Sequence, residues 1–300
     1  MSKEHNFISA VVYLSDDSDQ MLRFFDTLTT CLDDHFLQYE LIAVNGDSFH
    51  NNIQSLKEWS KGLSHPLTVI NMSLRQPHEQ CMNAGIDIAI GDYVYEFDSV
   101  EMPYSPELIW KAYQSVMLGN DIVTVCPKRE TKVSSMFYKI FNCYSNAPYE
   151  LRTDAFRIVS RRAINRAHAI NENLPYRKAA YAACGLKMAT IEFNGIMKTK
   201  EKDRFDLATD SLVLYTDFGY RFTIGLTLFM SLIALMELLY TIIIWFVGKP
   251  ISGWTTTMFV LTLGLTGLFA ILAVVLKYQS LLLRLTFHKQ SYQIEGIEKL

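Results

Sequence analysis

The chain has 300 residues, a formal net charge of −3 and a mean hydropathy of +0.10, which is high for a soluble protein. The slightly acidic charge gives no reason to expect a nucleic-acid partner. Five cysteines are scattered along the chain without a C-x-x-C pair, which argues for reduced thiols in the cytosol and against a structural zinc site. The length suits one large α/β domain with a membrane anchor, or two small domains.

Short apolar runs alternate with amphipathic runs through the first two thirds of the chain. Strands are predicted over residues 8–14, 39–44, 67–72, 93–97, 121–126, 156–159 and 187–193. Helices are predicted over residues 19–35, 53–62, 79–90, 106–118 and 161–170. Because the strands are almost continuously apolar, this alternation predicts an α/β fold with a mostly parallel sheet and helices on both faces.

The segment 128–141 is basic at its start and then amphipathic, with its apolar side chains on one side. Two interpretations fit this periodicity. The segment forms either a helix that lies on a membrane surface or an ordinary core helix.

Polar clusters follow four of the predicted strands, at residues 15–17, 45–48, 74–78 and 98–101. Ligands of parallel α/β sheets bind at the carboxyl ends of the strands. Convergence of the four clusters therefore predicts a site with several oxygen acceptors and a few cations, suited to a nucleotide and a metal. Each cluster taken alone also fits a solvated loop, because loops run over the protein surface.

Two long apolar spans lie near the C-terminus. Residues 222–247 carry a single ionisable group, Glu237, and residues 255–276 carry none. At the helical rise per residue these spans reach about 39 and 33 Å, enough to cross a hydrocarbon core of about 30 Å. We expect Glu237 to lie at a helix–helix or subunit contact, because a charged group inside a membrane is costly when it faces lipid.

Basic residues are denser on the two flanks of this hairpin than in its turn, so the positive-inside rule predicts that both flanks are cytoplasmic. The chain is therefore predicted to have three parts. Residues 1–220 form a cytoplasmic domain, residues 221–280 contain the two transmembrane helices, and residues 281–300 form a cytoplasmic tail.

Three stretches carry a family resemblance: residues 83–94 (NAGIDIAIGDYV), 106–109 (PELI) and 154–161 (DAFRIVSR). They resemble the inverting, nucleotide-sugar-dependent glycosyltransferases that load a sugar onto a polyprenyl phosphate. That group includes dolichyl-phosphate mannose synthase and the bacterial undecaprenyl-phosphate glucosyltransferases. The resemblance covers the whole chain, and it implies a Rossmann-like nucleotide-sugar-binding sheet followed by a two-helix transmembrane hairpin.

The resemblance also implies roles for individual residues. Asp98 and Glu101 take the place of the family's acidic pair, which holds Mg²⁺ or Mn²⁺ at the diphosphate. Asp98 and Arg157 are the implied catalytic residues. The residues implied to bind the donor nucleotide are Asp16, Asp17, Asp47 and Arg75. The residues implied to bind the acceptor phosphate are Arg129, Lys132, Arg157 and Arg204.

Several of these residues also fit purely structural roles. Asp98 is suited to cap the turn after its strand, and Arg157 is suited to pair with Asp154. Arg204 fits an ordinary basic flank of a membrane helix. His78 has no second His or Cys at metal-ligand spacing, so we expect a solvated loop residue there rather than a ligand.

The function that this resemblance implies is that of a membrane-bound hexosyltransferase of the bacterial inner membrane. It would move a sugar from a nucleotide-sugar donor to undecaprenyl phosphate on the cytoplasmic face, for envelope glycan or lipid modification. Departures from the family's acidic motifs, such as residues 98–101 (DSVE) in place of D-x-D, leave open an inactive homologue that serves as a partner or scaffold. A transferase acting on a lipid-linked saccharide is a further alternative, and the architecture allows a homo-oligomer.

Overall fold

The structure is a computed structural model of the 300-residue chain. It describes residues 3–14, 18–46, 50–73, 76–145, 148–170, 176–195, 218–248, 252–286 and 292–300. The chain divides into two compact units. One is Met1–Ala208 together with His288–Leu300, and the other is Thr209–Phe287.

The first unit is built on an eight-stranded sheet. Its strands are β1 (Ile8–Tyr13), β2 (Tyr39–Asn45), β3 (Leu67–Met72), β4 (Tyr93–Phe97), β5 (Ile122–Pro127), β6 (Phe156–Ser160), β7 (Met188–Phe193) and β8 (Ile294–Lys299). Their order across the sheet is β7-β5-β6-β4-β1-β2-β3-β8. Strand β6 is antiparallel to β4 and β5, β8 is antiparallel to β3, and the remaining pairs are parallel. The predicted mostly parallel α/β sheet is confirmed.

Seven described helices accompany the sheet. They are α1 (Ser18–His35), α2 (His50–Ser60), α3 (His78–Ile88), α4 (Glu107–Met117), α5 (Lys132–Tyr144), α6 (Arg161–Ile170) and α7 (Arg177–Ala183). Helix α1 shows why the periodicity is predictive: Asp19 lies in its first turn, where a carboxylate complements the helix dipole. Its buried face then follows at helical spacing, with Met21, Phe24, Phe25, Leu28 and Leu32.

Helix α3 lies very close to the sheet because it contains Gly85. A Cβ atom at this position would lie 2.5 Å from Val11 Cγ1 and 2.8 Å from Val44 Cγ2, so a larger residue there would push the helix away. The close approach brings the N-terminal end of α3 near the carboxyl ends of the central strands. Those strand ends are where the sequence predicts a ligand site.

The two faces of the sheet differ in chemistry because side chains alternate along each strand. On β4, Tyr95 and Phe97 point to one face and pack with Phe156 of β6, with 5.2 Å between the ring centroids of Phe97 and Phe156. Glu96 lies between these two aromatic residues and points to the opposite face. The aromatic face forms the core with α1 and α4.

Two elements appear where no helix or strand is predicted. Helix α7 follows a segment without a clear apolar period. Strand β8 lies within residues 281–300, which are predicted as a tail, and it adds an edge to the sheet by pairing with β3, for example Ile70 with Ile297.

The second unit contains two long helices, α8 (Phe218–Val247) and α9 (Trp254–Thr286), which pack against each other. They include the apolar spans Ile224–Val247 and Thr256–Gln279, of 24 residues each, in which almost no side chain is buried. A buried core helix of a soluble protein would hide such side chains. Each span is about 36 Å long, which suits a membrane crossing.

Candidate active site

A cluster of buried charges occupies the polar face of the sheet, at the carboxyl end of β4. Glu96 of β4 pairs in register with Arg157 of the antiparallel strand β6. Asp98 follows β4 directly, Glu79 comes from the first turn of α3, and Arg177 begins α7. Elements far apart in the chain thus contribute to one site.

Arg157 directs each of its three nitrogens to a carboxylate. Its Nε donates to Asp154 Oδ2 at 2.9 Å, its Nη1 to Glu96 Oε2 at 3.1 Å, and its Nη2 to Asp98 Oδ2 at 2.5 Å. The side chain is 1% exposed. Pairing with Asp154 was the structural alternative for this residue, and it is the arrangement observed. The role at an acceptor phosphate stays a prediction.

Arg177 makes a second, parallel set of contacts. Its Nε donates to Glu79 Oε2 at 2.8 Å, its Nη1 to Glu96 Oε2 at 2.5 Å and its Nη2 to Asp98 Oδ1 at 2.6 Å. The side chain is completely buried. The two oxygens of Asp98 therefore each accept a hydrogen bond from a different arginine.

Helix α7 adds two further contacts through residues one and four positions after Arg177. Lys178 forms an ion pair with Asp154. The hydroxyl of Tyr181 donates to Glu96 Oε1 at 2.6 Å. Tyr181 lies three positions after Lys178 and four after Arg177, spacings at which helical side chains are neighbours, so a single short helix supplies three of the groups that hold the carboxylates in place.

Four carboxyl groups face three cations in this cluster. The carboxyl groups belong to Glu79, Glu96, Asp98 and Asp154, and the cations to Arg157, Arg177 and Lys178. With every group ionised, the cluster carries one formal negative charge. Buried ions are tolerated only when paired and hydrogen-bonded, so each member depends on the others.

The local charges set different pKa values for the two acids of β4. Burial acts to raise the pKa of Asp98, but the charges of Arg157 and Arg177 outweigh it and hold that pKa well below its usual range. Burial raises the pKa of Glu96 above its ordinary value, although both arginines oppose this shift. Asp98 is therefore ionised at neutral pH and is a weak base, suited to accept hydrogen bonds rather than protons.

Asp98 is also the member of the cluster that reaches the surface, since its side chain is 25% exposed whereas that of Glu96 is fully buried. Its carbonyl oxygen lies 3.0 Å from His78 Nε2. The His78 ring packs on Tyr13, with centroids 4.4 Å apart, and the Tyr13 ring lies against Gly46. The ends of β1, β2 and β4 thus meet the start of α3. The predicted convergence of the four polar clusters stays a prediction, because residues 15–17, 47–48 and 74–75 lie outside the described ranges.

Most of the other predicted site residues are not placed by the described part of the chain. Those outside it are Asp16, Asp17, Asp47, Arg75 and Arg204. Lys132 begins α5, and its side chain is also outside the described residues. Arg129 is exposed in the loop after β5. The roles predicted for all of these residues stay predictions.

Helix α5 fits both interpretations of segment 128–141. Tyr138 and Phe141 are buried in the domain, as in a core helix, whereas Met136 is 66% exposed. The described contacts therefore place one face of α5 in the core and leave an apolar side chain on the other.

The predicted metal site at Asp98 and Glu101 fits the described residues poorly. Both oxygens of Asp98 already accept from guanidinium groups, whose positive charge opposes a nearby cation. Glu101 is partly exposed, and its backbone N–H donates to Ser99 Oγ at 3.1 Å. Within the described ranges, no group of three or more His, Cys, Asp or Glu side chains is placed to hold a metal.

A small cavity of about 10 Å³ lies behind the cluster, lined by residues that include Thr124, Asp154, Arg157, Lys178 and Thr190. It has room for one water molecule and none for a sugar.

Sequence reasoning missed Glu79, Glu96, Arg177, Lys178 and Tyr181. One local signal was available for Glu96, an acid inside the otherwise apolar strand 93–97, where an unpaired charge is costly. The partners of Glu96 have no such signal, because Arg157 and Arg177 lie 61 and 81 positions further along the chain.

No family model matches the chain. An uncharacterized glycosyltransferase of Synechocystis sp. is 25% identical over 194 residues, which cover 62% of this chain and 60% of that relative's length. A bactoprenol glucosyl transferase of Shigella phage SfV is 23% identical over 265 residues, covering 82% of this chain and 84% of the relative. The chain is similar to proteins named glycosyltransferases, at 25% identity or less. Its relatives are distant ones.

Two solved structures resemble the fold of this chain. A mannosyltransferase from Pyrobaculum calidifontis, in complex with GDP-Man and Mn²⁺, matches with a TM-score of 0.51 and 12% identity, over 71% of this chain and 63% of that one. Glucosyl-3-phosphoglycerate synthase from Mycobacterium tuberculosis, with Mn²⁺, UDP-glucose and phosphoglyceric acid, matches with a TM-score of 0.50 and 8% identity, over 69% and 78%. The chain therefore has a GT-A-like fold.

Proposed function

We propose that the protein is a membrane-bound glycosyltransferase that moves a sugar from a nucleotide-sugar donor to undecaprenyl phosphate, at the cytoplasmic face of the bacterial inner membrane. The observation that carries the proposal is the Asp98 carboxylate, held ionised and oriented by two buried arginines at the strand ends of a GT-A-like fold. Relatives named bactoprenol glucosyl transferase, matched over most of the chain, support the lipid acceptor.

The chemistry of the acceptor suits this site. A polyprenyl phosphate is already an anion at pH 7, so its attack on the donor needs orientation more than a strong base. Asp98, a weak base because of its arginines, is fitted to accept hydrogen bonds from donor hydroxyl groups. In this proposal Arg157 and Arg177 are positioning residues, which fix the Asp98 carboxylate.

The remaining predicted residues complete the proposal. Asp16, Asp17, Asp47 and Arg75 belong to its donor nucleotide site, and Arg129, Lys132 and Arg204 to its acceptor phosphate site. Two of the solved structures with this fold contain Mn²⁺. Because Asp98 and Glu101 fit a metal poorly, no step of the proposed reaction depends on one.

The two apolar helices anchor the protein in this proposal. Basic residues on both flanks of the hairpin favour a cytoplasmic location for the domain and for both termini. A reporter fused after Leu300 tests this topology, and activity of the reporter outside the inner membrane would rule it out.

The proposed activity is tested by incubating purified full-length protein with undecaprenyl phosphate and a panel of nucleotide sugars, with Mg²⁺ or Mn²⁺. We expect a glycosylated lipid product from the wild type and from Asp34→Ala, whose carboxylate is exposed on α1. We expect almost none from Asp98→Ala or from the near-isosteric Asp98→Asn, provided that both fold.

Two other outcomes select the alternatives. Absence of both product and nucleotide binding by calorimetry would favour an inactive partner or scaffold protein, for which the full engagement of Asp98 by arginines is the supporting observation. Product formed only on a preassembled lipid-linked saccharide would identify that saccharide as the acceptor.

A further inference from the structure

The outermost strand next to β3 comes from the end of the chain, after both apolar helices. Strand β8 pairs antiparallel with β3, and the preceding residues Tyr292 and Gln293 continue along the same edge. Side-chain contacts of this C-terminal edge reach two places beside the candidate active site. Neither contact is needed to pair the strands.

The first contact fixes the start of α3. The Gln76 amide makes two hydrogen bonds to the backbone of Gln293: its Nε2 donates to the carbonyl oxygen at 2.7 Å, and its Oε1 accepts from the N–H at 3.0 Å. Ser73 N–H donates to the same carbonyl at 3.1 Å. Gln76 lies two positions before His78, the residue that touches Asp98 and Tyr13.

The second contact reaches the end of β2. Asn71 of β3 donates through Nδ2 to Glu298 Oε1 at 3.2 Å, and it accepts from Asn45 Nδ2, also at 3.2 Å. Asn45 is the last residue of β2 and is buried. Gly46, which follows, lies against the Tyr13 ring. Glu298 is thus connected through two asparagines to the carboxyl end of β2.

A third contact holds the far end of α3, where the Tyr292 hydroxyl donates to Asp87 Oδ2 at 2.5 Å. The C-terminal edge therefore holds α3 near both of its ends and β2 at its carboxyl end. A neighbour that served only to cover the sheet edge would not require polar contacts directed at these points.

We propose that the C-terminal edge, residues 292–300, is a positioning element of the donor site. It fixes the carboxyl end of β2 and the start of α3, so that these two described segments are held in place for the nucleoside diphosphate of the donor. This inference rests on the proposed function for the identity of the ligand. Asn71, Gln76 and Glu298 are its positioning residues.

Replacement of the hydrogen-bond donor of Asn71 by a carboxylate tests the contact between Asn71 and Glu298. Asn71→Asp keeps the acceptor for Asn45 but places a carboxylate against Glu298, and we expect UDP or GDP, whichever binds the wild type, to bind about tenfold more weakly because one polar group loses its partner. In Asn71→Asp/Glu298→Gln the new amide donates to Asp, so affinity should return to within about threefold of wild type.

Two control variants accompany this pair. Glu295→Gln changes an exposed carboxylate on the same strand, and Lys57→Gln removes the ion pair that Glu298 makes at the surface. Both should leave nucleotide affinity unchanged. Recovery of nucleotide affinity in the double variant, with unchanged affinity in both controls, would separate positioning from a general effect of surface charge.

Hydrogen exchange gives a readout that does not depend on a nucleotide. In Gln76→Ala, amide exchange over residues 78–82 should accelerate about tenfold while exchange in α4 stays unchanged, because only the start of α3 loses its support. Faster exchange over residues 78–82 together with no nucleotide binding by the wild type would support the role of the C-terminal edge in holding α3. It would overturn the proposal that this region binds the donor. Unchanged exchange over residues 78–82 in Gln76→Ala, or full nucleotide affinity in Asn71→Asp, would overturn the inference itself.

Discussion

The two faces of β4 and β6 are made from alternate residues of the same strands, yet they follow opposite rules. On one face, Tyr95, Phe97 and Phe156 pack without charge, and their contacts are replaceable by other apolar groups of similar size. On the other face, Glu96 and Arg157 belong to a buried ionic cluster in which each charge is compensated by a specific partner. Each strand therefore supplies both a core that accepts other apolar residues and a site in which each charge needs its specific partner.

The largest loss of stability is expected when the ionic cluster loses one of its cations. Arg177→Met removes the arginine that pairs with Glu79 and one of the two arginines that pair with Glu96 and Asp98, and we expect the free energy of unfolding to fall by about 3–5 kcal/mol. Arg162→Met, at an exposed arginine of α6, should change it by less than about 0.5 kcal/mol. Urea unfolding followed by tryptophan fluorescence measures both. Equal losses would mean that the cluster is not energetically special.

A matched pair of Tyr→Phe substitutions compares single hydrogen bonds on the two faces. In Tyr181→Phe the carboxylate of Glu96 loses a donor at 2.6 Å, and we expect a loss of about 1.5–3 kcal/mol because the bond involves an acid in a buried ionic cluster. Urea unfolding measures this loss too. A smaller loss of unfolding free energy in Tyr181→Phe than in Tyr95→Phe, on the aromatic face, would contradict the greater sensitivity of the ionic face to substitution.

On the aromatic face, Tyr95→Phe removes a hydrogen bond of 2.7 Å to the carbonyl oxygen of Ile109. Both groups are neutral, so we expect a smaller loss, about 0.5–1.5 kcal/mol. Nucleotide affinity by calorimetry should be unchanged, because the residue points away from Asp98. A clear loss of nucleotide affinity would show that the two faces are not independent.

Asp98 and Glu96, both in the ionic cluster, contribute to the pH dependence of stability in opposite directions. The pKa of Asp98 is depressed in the folded protein, so its contribution is present above the unfolded value of about 4 and is lost as the pH falls through the folded value. The pKa of Glu96 is raised, so its contribution has the opposite sign: it is complete below about 4 and is lost as the pH rises through the folded value.

A comparison of the wild type with Asp98→Asn isolates the contribution of Asp98 to the pH dependence of stability. We expect the stability gap between them to shrink as the pH is lowered from 7 to 3, as measured by urea unfolding at each pH. A gap that stays constant over this range would show that the Asp98 carboxylate is not stabilised by its arginines.

Periodicity predicted most of this fold because it is a local signal. The strands and helices from Ile8 to Phe97 agree with prediction to within a few residues, since each presents an apolar face of regular spacing. Helix α7 was missed because it has only seven residues. Strand β8 was missed because its sequence, IEGIEK, becomes a strand through pairing with β3, more than 200 positions earlier in the chain.

The candidate site was predicted only in part for the same reason. Asp98 and Arg157 were identified from a family resemblance, but the hydrogen bonds of Asp98 with Arg157 and with Arg177 join residues 59 and 79 positions apart. Such contacts leave no pattern in a single sequence. Asp98 was expected at a metal or capping a turn, and Arg157 at a phosphate or paired with Asp154. In the structure the two residues are partners in one ionic cluster.

The most direct test of the central claim is sugar transfer to undecaprenyl phosphate by the full-length protein, with the lipid product identified by mass spectrometry. We expect product from the wild type and from Asp34→Asn. We expect at least a hundredfold slower formation by Asp98→Asn, a loss of about 2.7 kcal/mol or more in transition-state stabilisation. Transfer at the wild-type rate by folded Asp98→Asn would contradict the assignment of the active site.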